Sequence, residues 1–117
     1  MTLIDLFTLF MELIFAHFVA DFGLQSAEMA RLKAMKNNES EVKDLPYFMR
    51  MGHCMINAAI VYLFTGILWM AIAEIYVHAF IDRLKIKKIT NLKQDQILHF
   101  ISKVFYIIIY VLIAWFL

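Results

Sequence analysis

Each of the four histidines in this chain has an Asp or Asn four residues away. The pairs are His17–Asp21, His53–Asn57, His78–Asp82 and Asp95–His99. Because residues four apart lie on one face of an α-helix, each pair presents an imidazole nitrogen and an oxygen in the same direction. Imidazole together with carboxylate is a typical ligand set for divalent transition metals. The spacing therefore predicts a metal site, provided that the fold brings the four pairs together.

The composition is that of a membrane protein. Of the 117 residues, 63% are hydrophobic and 18% are charged, and the mean hydropathy is +0.73. A soluble chain this short cannot bury so much apolar surface, so we expect a bilayer to be its solvent. The net charge of +1 indicates no general attraction to nucleic acid. The single cysteine, Cys54, excludes an internal disulfide and a cysteine-based zinc site.

Apolar segments predict four helices, at about residues 2–24, 46–65, 68–85 and 94–116, each long enough to cross a hydrocarbon core of about 30 Å. Pro46 suits the first turn of the second helix, and Gly66 separates the second helix from the third. The polar stretch after the first helix contains a short amphipathic segment that Ser26 can cap. We expect this segment to lie at the membrane interface.

The positive charges predict the orientation in the membrane. Ten of the eleven Lys and Arg residues fall within 25–52 and 83–93. Four spans place both regions on one side, which the positive-inside rule makes cytoplasmic. The predicted cytoplasmic loops are 25–45 and 86–93, and both termini then lie outside a bacterial inner membrane. A single helix from Pro46 to Lys85 is the alternative, but it would be about 60 Å long, twice the membrane thickness.

The predicted fold is therefore an all-α polytopic membrane protein of one domain, 1–117. Its four transmembrane helices form a bundle of two hairpins, with the short interfacial helix added. In this topology the four His pairs lie at one depth near the cytoplasmic side. Two ions about 3.5–4 Å apart would suit so many ligands, and Zn, Mn, Fe or Ni fit their chemistry. The predicted metal ligands are His17, Asp21, His53, His78, Asp82, Asp95 and His99.

Further polar residues surround the predicted ligands. Glu74 and Lys103 lie one helical turn deeper and are the candidate catalytic residues: Glu74 to orient His78, and Lys103 to hold an anionic group of the substrate. An ordinary ion pair between Lys103 and Glu12 is the alternative. The predicted supporting residues are Gln25, Asn57, Gln96 and Glu12. We expect the loop lysines and arginines to contact lipid headgroups only.

The segment AHFVADFGLQSAEMARLK, from Ala16 to Lys33, resembles the opening motif of a family of small bacterial and phage membrane proteins, domain of unknown function 3307. The central His53, HAFIDRLK from His78, and DQILHF from Asp95 follow in the family's order. The resemblance covers most of the chain and implies a membrane protein, but it implies no activity. A looser likeness to bacterial inner-membrane metal-dependent hydrolases ranks hydrolysis first among the reaction classes.

The sequence thus predicts a membrane metal-dependent hydrolase of a phosphoester or ester, acting on a lipid or another amphiphile from the headgroup region. Membrane lipids are the expected partners, and a homodimer is compatible with the exposed surface of so small a bundle. Three alternatives stay open. They are a transporter of metal ions or protons, a haem protein with paired histidines, and a non-enzymatic protein that binds a host membrane partner and uses the polar residues only to hold its helices together.

Overall fold

The computed structural model describes all residues, 1–117, and contains only helices. The helices are α1 (Leu3–Phe18), α2 (Ala27–Lys33), α3 (Leu45–Thr65), α4 (Leu68–Ile86) and α5 (Leu92–Phe116). The four long helices pack in the ring order α1, α3, α4, α5, and the short α2 packs on α3. The resulting bundle measures 51 × 25 × 25 Å. The all-α prediction is confirmed, as is the short second helix with its cap at Ser26.

Local sequence chemistry sets the helix ends. Pro46 lies in the first turn of α3, and Gly66 ends this helix with a left-handed φ of 70°, a conformation that costs glycine little because it lacks a Cβ. Helix α5 begins two residues before the predicted start. There the Asn91 side chain accepts a hydrogen bond from the Gln94 backbone N–H, and the Gln94 side chain accepts one from the Asn91 N–H. This reciprocal cap holds the first turn of α5.

The first long helix differs from the single α-helix predicted over 2–24. After Phe18 it continues as a π-helical turn, Val19–Gly23, in which the Leu24 N–H donates to the Val19 carbonyl oxygen five residues back at 2.8 Å. A π turn accommodates one extra residue and is frequent at functional sites. Here it buries Ala20 and Asp21, so Asp21 points into the bundle.

Two segments, Leu3–Gly23 and Leu92–Phe116, are long and apolar enough to cross a membrane. Only 28% and 22% of their most apolar windows are buried within the protein, whereas the core helix of a soluble protein would be mostly buried. Most of their side chains therefore face outward, as lipid-contacting side chains do. Helices α3 and α4 are less hydrophobic on average than the other two long helices and do not meet the same test of length and composition.

The interior has two chemically different ends. The apolar end is a cluster of Leu9, Leu13, Ala16, Val61, Met70 and Tyr106. At the other end the buried side chains are largely polar or charged, a group that supplies twelve of the 25 buried residues of the chain. Buried ionisable groups are costly in a membrane protein and are usually functional. The polar end is therefore where a functional site is expected.

Candidate metal centre

All seven predicted metal ligands come together at the polar end. The π turn and the end of α1 supply Asp21 and His17, α3 supplies His53, and the other four lie on α4 and α5. We call this set the His/Asp cluster: His17, Asp21, His53, His78, Asp82, Asp95 and His99, none of them more than 5% exposed. The helical spacing of each pair, combined with the ring order of the helices, turns the seven side chains toward one another.

The four imidazoles lie side by side. Ring centroids are 4.8 Å apart for His17 and His99, 4.4 Å for His99 and His78, and 4.8 Å for His78 and His53. Each ring has its Nε2 within 4 Å of an oxygen of Asp21, Asp82 or Asp95. Nitrogen and carboxylate lone pairs thus face a common volume.

Most of these nitrogen–oxygen distances are those of neighbouring ligands on one ion. Nε2 of His78 lies 3.3 Å from Asp82 Oδ2 and 3.5 Å from Asp21 Oδ1, and Nε2 of His99 lies 3.4 Å from Asp82 Oδ1. Good N–H···O hydrogen bonds span about 2.7–3.2 Å, but two ligands about 2.0–2.1 Å from a tetrahedral ion are roughly 3.3 Å apart. His53 is closer, with its Nε2 3.0 Å from both Asp21 Oδ1 and His78 Nε2.

Six side-chain atoms of the cluster are buried without any hydrogen-bond partner. Three are the Nδ1 atoms of His17, His53 and His99, and the other three are His99 Nε2, Asp82 Oδ1 and Asp95 Oδ1. These last three face one another, because the two oxygens lie 3.4 and 3.7 Å from the nitrogen. Buried polar atoms nearly always have a partner, and an exception calls for an explanation. A cation held between them would satisfy all three.

Three groups of residues have ligand atoms within 4.8 Å of one another. Two lie wholly within the cluster, Asp21 with His53 and His78, and Asp21 with Asp95 and His99; the third joins His78 and His99 to Glu74. Asp21 belongs to both groups within the cluster. A carboxylate shared between two adjacent ions is typical of binuclear sites, so this geometry can accommodate two ions.

Two of the predicted supporting residues contact the cluster directly. The Gln96 amide nitrogen donates to Asp21 Oδ2 at 3.0 Å and to Asp95 Oδ2 at 3.1 Å, while its Oε1 lies 2.7 Å from His17 Nε2. Asn57 Nδ2 donates to the His53 carbonyl oxygen at 3.0 Å. Gln25 makes no hydrogen bond with a cluster residue, and its buried Oε1 has no partner.

Glu74 contacts the cluster from the deeper side. Its Oε1 lies 3.2 Å from His78 Nδ1, and its Oε2 accepts hydrogen bonds from Lys103 Nζ at 2.6 Å and from the Tyr106 hydroxyl at 2.9 Å. Glu74 thus contacts His78, as a residue that orients this ring would, and its catalytic role stays a prediction. Lys103 is completely buried, and its ammonium is bound to Glu74, so its position is that of a partner of Glu74.

The alternative pairing of Lys103 with Glu12 is wrong. Lys103 pairs with Glu74 across the interface of α4 and α5. Glu12 is half-buried and lines a surface cavity of about 290 Å³ at the apolar end of the bundle, together with Asp5, Thr8 and Tyr110. Equal depth along the helices suggested the pair, but the rotation of each helix about its axis decides which side chains meet.

The prediction that the lysines and arginines of 25–52 and 83–93 contact only lipid headgroups is also wrong for four residues. One is Arg31, which pairs with the exposed Glu28 on α2; the other three contact the cluster or the segment after α2. Lys33 Nζ donates to Asp82 Oδ2 at 2.9 Å, and Lys85 Nζ donates to Asp95 Oδ2 at 3.4 Å. Arg50 donates to the Met35 carbonyl oxygen at 2.9 Å. The sequence holds one signal for Lys33, because it lies four residues after Met29 and so on the same side of the short helix as that apolar residue. It holds none for Tyr106, which resembles the other aromatic residues of α5.

The chain belongs to the family described as protein of unknown function (DUF3307), whose match covers residues 9–117. This confirms the family membership that the motifs indicate. Among curated proteins and among solved structures, nothing matches.

Proposed function

We propose that this member of the DUF3307 family is an integral membrane metalloprotein that hydrolyses a phosphoester or ester. Its His/Asp cluster would bind one or two divalent transition-metal ions. The observation that carries the proposal is the convergence of three buried, unpartnered ligand atoms, His99 Nε2, Asp82 Oδ1 and Asp95 Oδ1. Their mutual distances of 3.4 and 3.7 Å suit ligands of one ion better than hydrogen bonds.

All four long helices cross the membrane in this proposal. The two most apolar helices, α1 with its π turn and α5, are long and apolar enough by themselves to cross a membrane. Helices α3 and α4 direct their polar residues toward the cluster instead of toward lipid. The basic regions at 25–52 and 83–93 support the proposal that the cluster lies at the cytoplasmic face of a bacterial inner membrane. Both termini lie outside. A lipid or another amphiphile reaches such a site from the headgroup layer.

The ligand set determines the chemistry that is proposed. Imidazole and carboxylate favour Zn, Mn, Fe or Ni over Mg or Ca, and such ions activate water and polarise a phosphoryl or acyl oxygen. Gln96 orients His17 and two of the carboxylates, and Glu74 fixes the ring of His78 through its Nδ1. These contacts hold the ligands in place before a metal arrives, as polar partners of ligands do in established metal sites.

The packing favours hydrolysis over transport. Between the cluster and the cavity at the opposite end lies the apolar end of the bundle, in which Leu13 and Met70 are completely buried. A path for ions would have to cross this layer. The haem alternative has less support, because adjacent imidazoles contact one another at ring distances of 4.4–4.8 Å and three carboxylates face them.

The first test is the metal content of protein purified in detergent, measured by elemental mass spectrometry. We expect about one to two transition-metal ions per chain and near-complete loss in a His17→Ala/His78→Ala variant. Asp44→Asn is the matched control, since Asp44 is exposed and its left-handed φ of 64° suits asparagine equally well. Folded wild-type protein without metal would overturn the proposal and favour a purely structural polar network.

The second test is hydrolysis itself. Metal-loaded protein in nanodiscs should release product from one member of a panel of phosphoesters and carboxyl esters. A chelator should abolish the reaction, and the added metal should restore it. If the metal-loaded protein cleaves none of these compounds but carries metal ions across the membrane of liposomes, the proposed hydrolase is wrong and a transporter takes its place.

A further inference from the structure

Two lysines from separate parts of the chain approach the carboxylates of the His/Asp cluster. Lys33, at the end of α2, lies with its Nζ 2.9 Å from Asp82 Oδ2, and Lys85, in the last turn of α4, lies 3.4 Å from Asp95 Oδ2. The Lys85 side chain is 27% exposed, whereas that of Lys33 is only 5% exposed. Both lysines come from segments beyond the histidines, and Lys85 marks the end of the cluster that is nearest to the surface.

Asp82 is a shared carboxylate. Its Oδ2, which accepts from Lys33, also lies 3.4 Å from His53 Nε2 and 3.3 Å from His78 Nε2. An ion bound between this oxygen and the two imidazoles would take up the negative charge that Lys33 now faces. The ammonium of Lys33 would then need another anion, since an unpaired buried charge is costly.

The charge balance of the loaded site is positive. Three aspartates with two divalent ions leave one positive charge, and Lys33 and Lys85 raise the excess to three. With one ion the balance is still positive. Glu74 and Lys103 cancel each other. A neutral carboxyl ester would leave this excess unmatched, whereas a phosphate group with free oxygens would compensate most of it.

The position of Lys33 is held by the protein. Arg50 donates from Nη1 to the carbonyl oxygens of Lys33 and Met35, at 3.3 and 2.9 Å, and from Nη2 to Asn37 Oδ1 at 3.0 Å. These bonds satisfy carbonyl groups at the end of α2, which otherwise lack partners. Arg50 thereby fixes the short helix so that Lys33 reaches the cluster.

We propose that the loaded site selects phosphoesters, and that Lys33 and Lys85 bind the free oxygens of the phosphoryl group. The inference rests on the proposed function, and it names the substrate class and two binding residues for it. Lys103, predicted from the sequence to hold the anion, has no part in this, because its ammonium is bound to Glu74 on the side of the histidines that faces the apolar end, away from Lys85.

The test measures metal content and phosphate affinity separately, using inorganic phosphate as the probe on metal-loaded protein in detergent. Lys33→Gln and Lys85→Gln should each bind phosphate about tenfold or more weakly, because each loses one charge-assisted hydrogen bond. Their metal content should equal that of the wild type, and Lys33→Arg should recover part of the affinity. Lys87→Gln is the control, since Lys87 is exposed and has no ion-pair partner.

Each outcome bears on a different statement. Metal-loaded wild type that does not bind phosphate, or unchanged affinity in both variants, overturns the inference and leaves the proposed metal centre intact. Loss of metal from Lys33→Gln shows that this lysine stabilises the cluster, which overturns its role toward phosphate. Folded wild type without metal overturns both proposals.

A lipid headgroup and a soluble phosphomonoester share this chemistry, and competition distinguishes them. Inorganic phosphate is displaced by glycerol 3-phosphate if the substrate is soluble. It is displaced by phosphatidic acid in phosphatidylcholine nanodiscs, and not by phosphatidylcholine alone, if the substrate is a lipid. Displacement by neither compound overturns the inference.

Discussion

The two ends of the bundle are built by the same helices but have opposite interiors. On α1, Leu13 is buried in the apolar end, and His17, one turn further, is buried in the His/Asp cluster. On α3 the same change occurs between Val61 and His53. In a bilayer, apolar side chains find apolar surroundings on either side of a helix, whereas buried polar groups must find partners within the protein. We infer that the apolar end holds the fold together and the cluster end carries the function.

The boundary between the two ends is a pair of opposite charges. Glu74 and Lys103 are both completely buried, and Tyr106, which belongs to the apolar end, donates to the same Glu74 oxygen. This pair contacts both the apolar end and the His/Asp cluster, so we expect substitutions of it to affect fold stability and metal binding together. Substitutions on one side of the pair should affect only one of these two properties.

The largest effect on stability is expected at the boundary. Glu74→Gln leaves the Lys103 ammonium buried without its counter-ion, which should destabilise the fold by about 3–5 kcal/mol. The double variant Glu74→Gln/Lys103→Met removes both charges and should recover most of this loss. Unfolding by denaturant in mixed micelles measures both variants. A double variant as unstable as the single one would show that the charge pair is not what couples the ends.

A smaller effect is expected in the apolar end. Leu13→Ala creates a cavity where Leu13 is completely buried, and the expected loss is about 2 kcal/mol. This loss of stability is at the low end for Leu→Ala substitutions. In a membrane the leucine of a helix that has come apart from the bundle is still surrounded by apolar lipid, so burying it in the bundle contributes less than it does in water. Metal content, measured by elemental mass spectrometry, should not change. Loss of metal in a folded Leu13→Ala protein would contradict the division of roles between the two ends.

The smallest effect is expected at the start of α5. Asn91→Ala removes the side chain that accepts from the Gln94 N–H at 2.8 Å, and losing such a cap costs about 1 kcal/mol. Asp95 and His99 lie in the first two turns of this helix, so metal affinity should fall slightly with stability. Asn38→Ala, an exposed loop substitution, is the control. Equal metal affinity in both variants would show that the cap acts on stability only.

Much of the fold and of the site was predictable from local chemistry. Helix periodicity, Pro46, the glycine at 66 and the Ser26 cap depend on residues close together in the chain, and the spacing of four places each histidine beside its oxygen ligand. A common depth for the four pairs followed from helix length and from the distribution of positive charges. The seven residues of the His/Asp cluster were therefore identifiable without coordinates.

Only the tertiary structure decided which polar side chains meet across helices. Lys33 reaches Asp82 over 49 residues of chain, Lys103 meets Glu74 and not Glu12, and Gln96 bonds to His17 and Asp21 together. These contacts depend on the rotation of each helix about its own axis and on the π turn that directs Asp21 inward. Periodicity determines a face relative to its own helix, whereas packing against the neighbours determines where that face points.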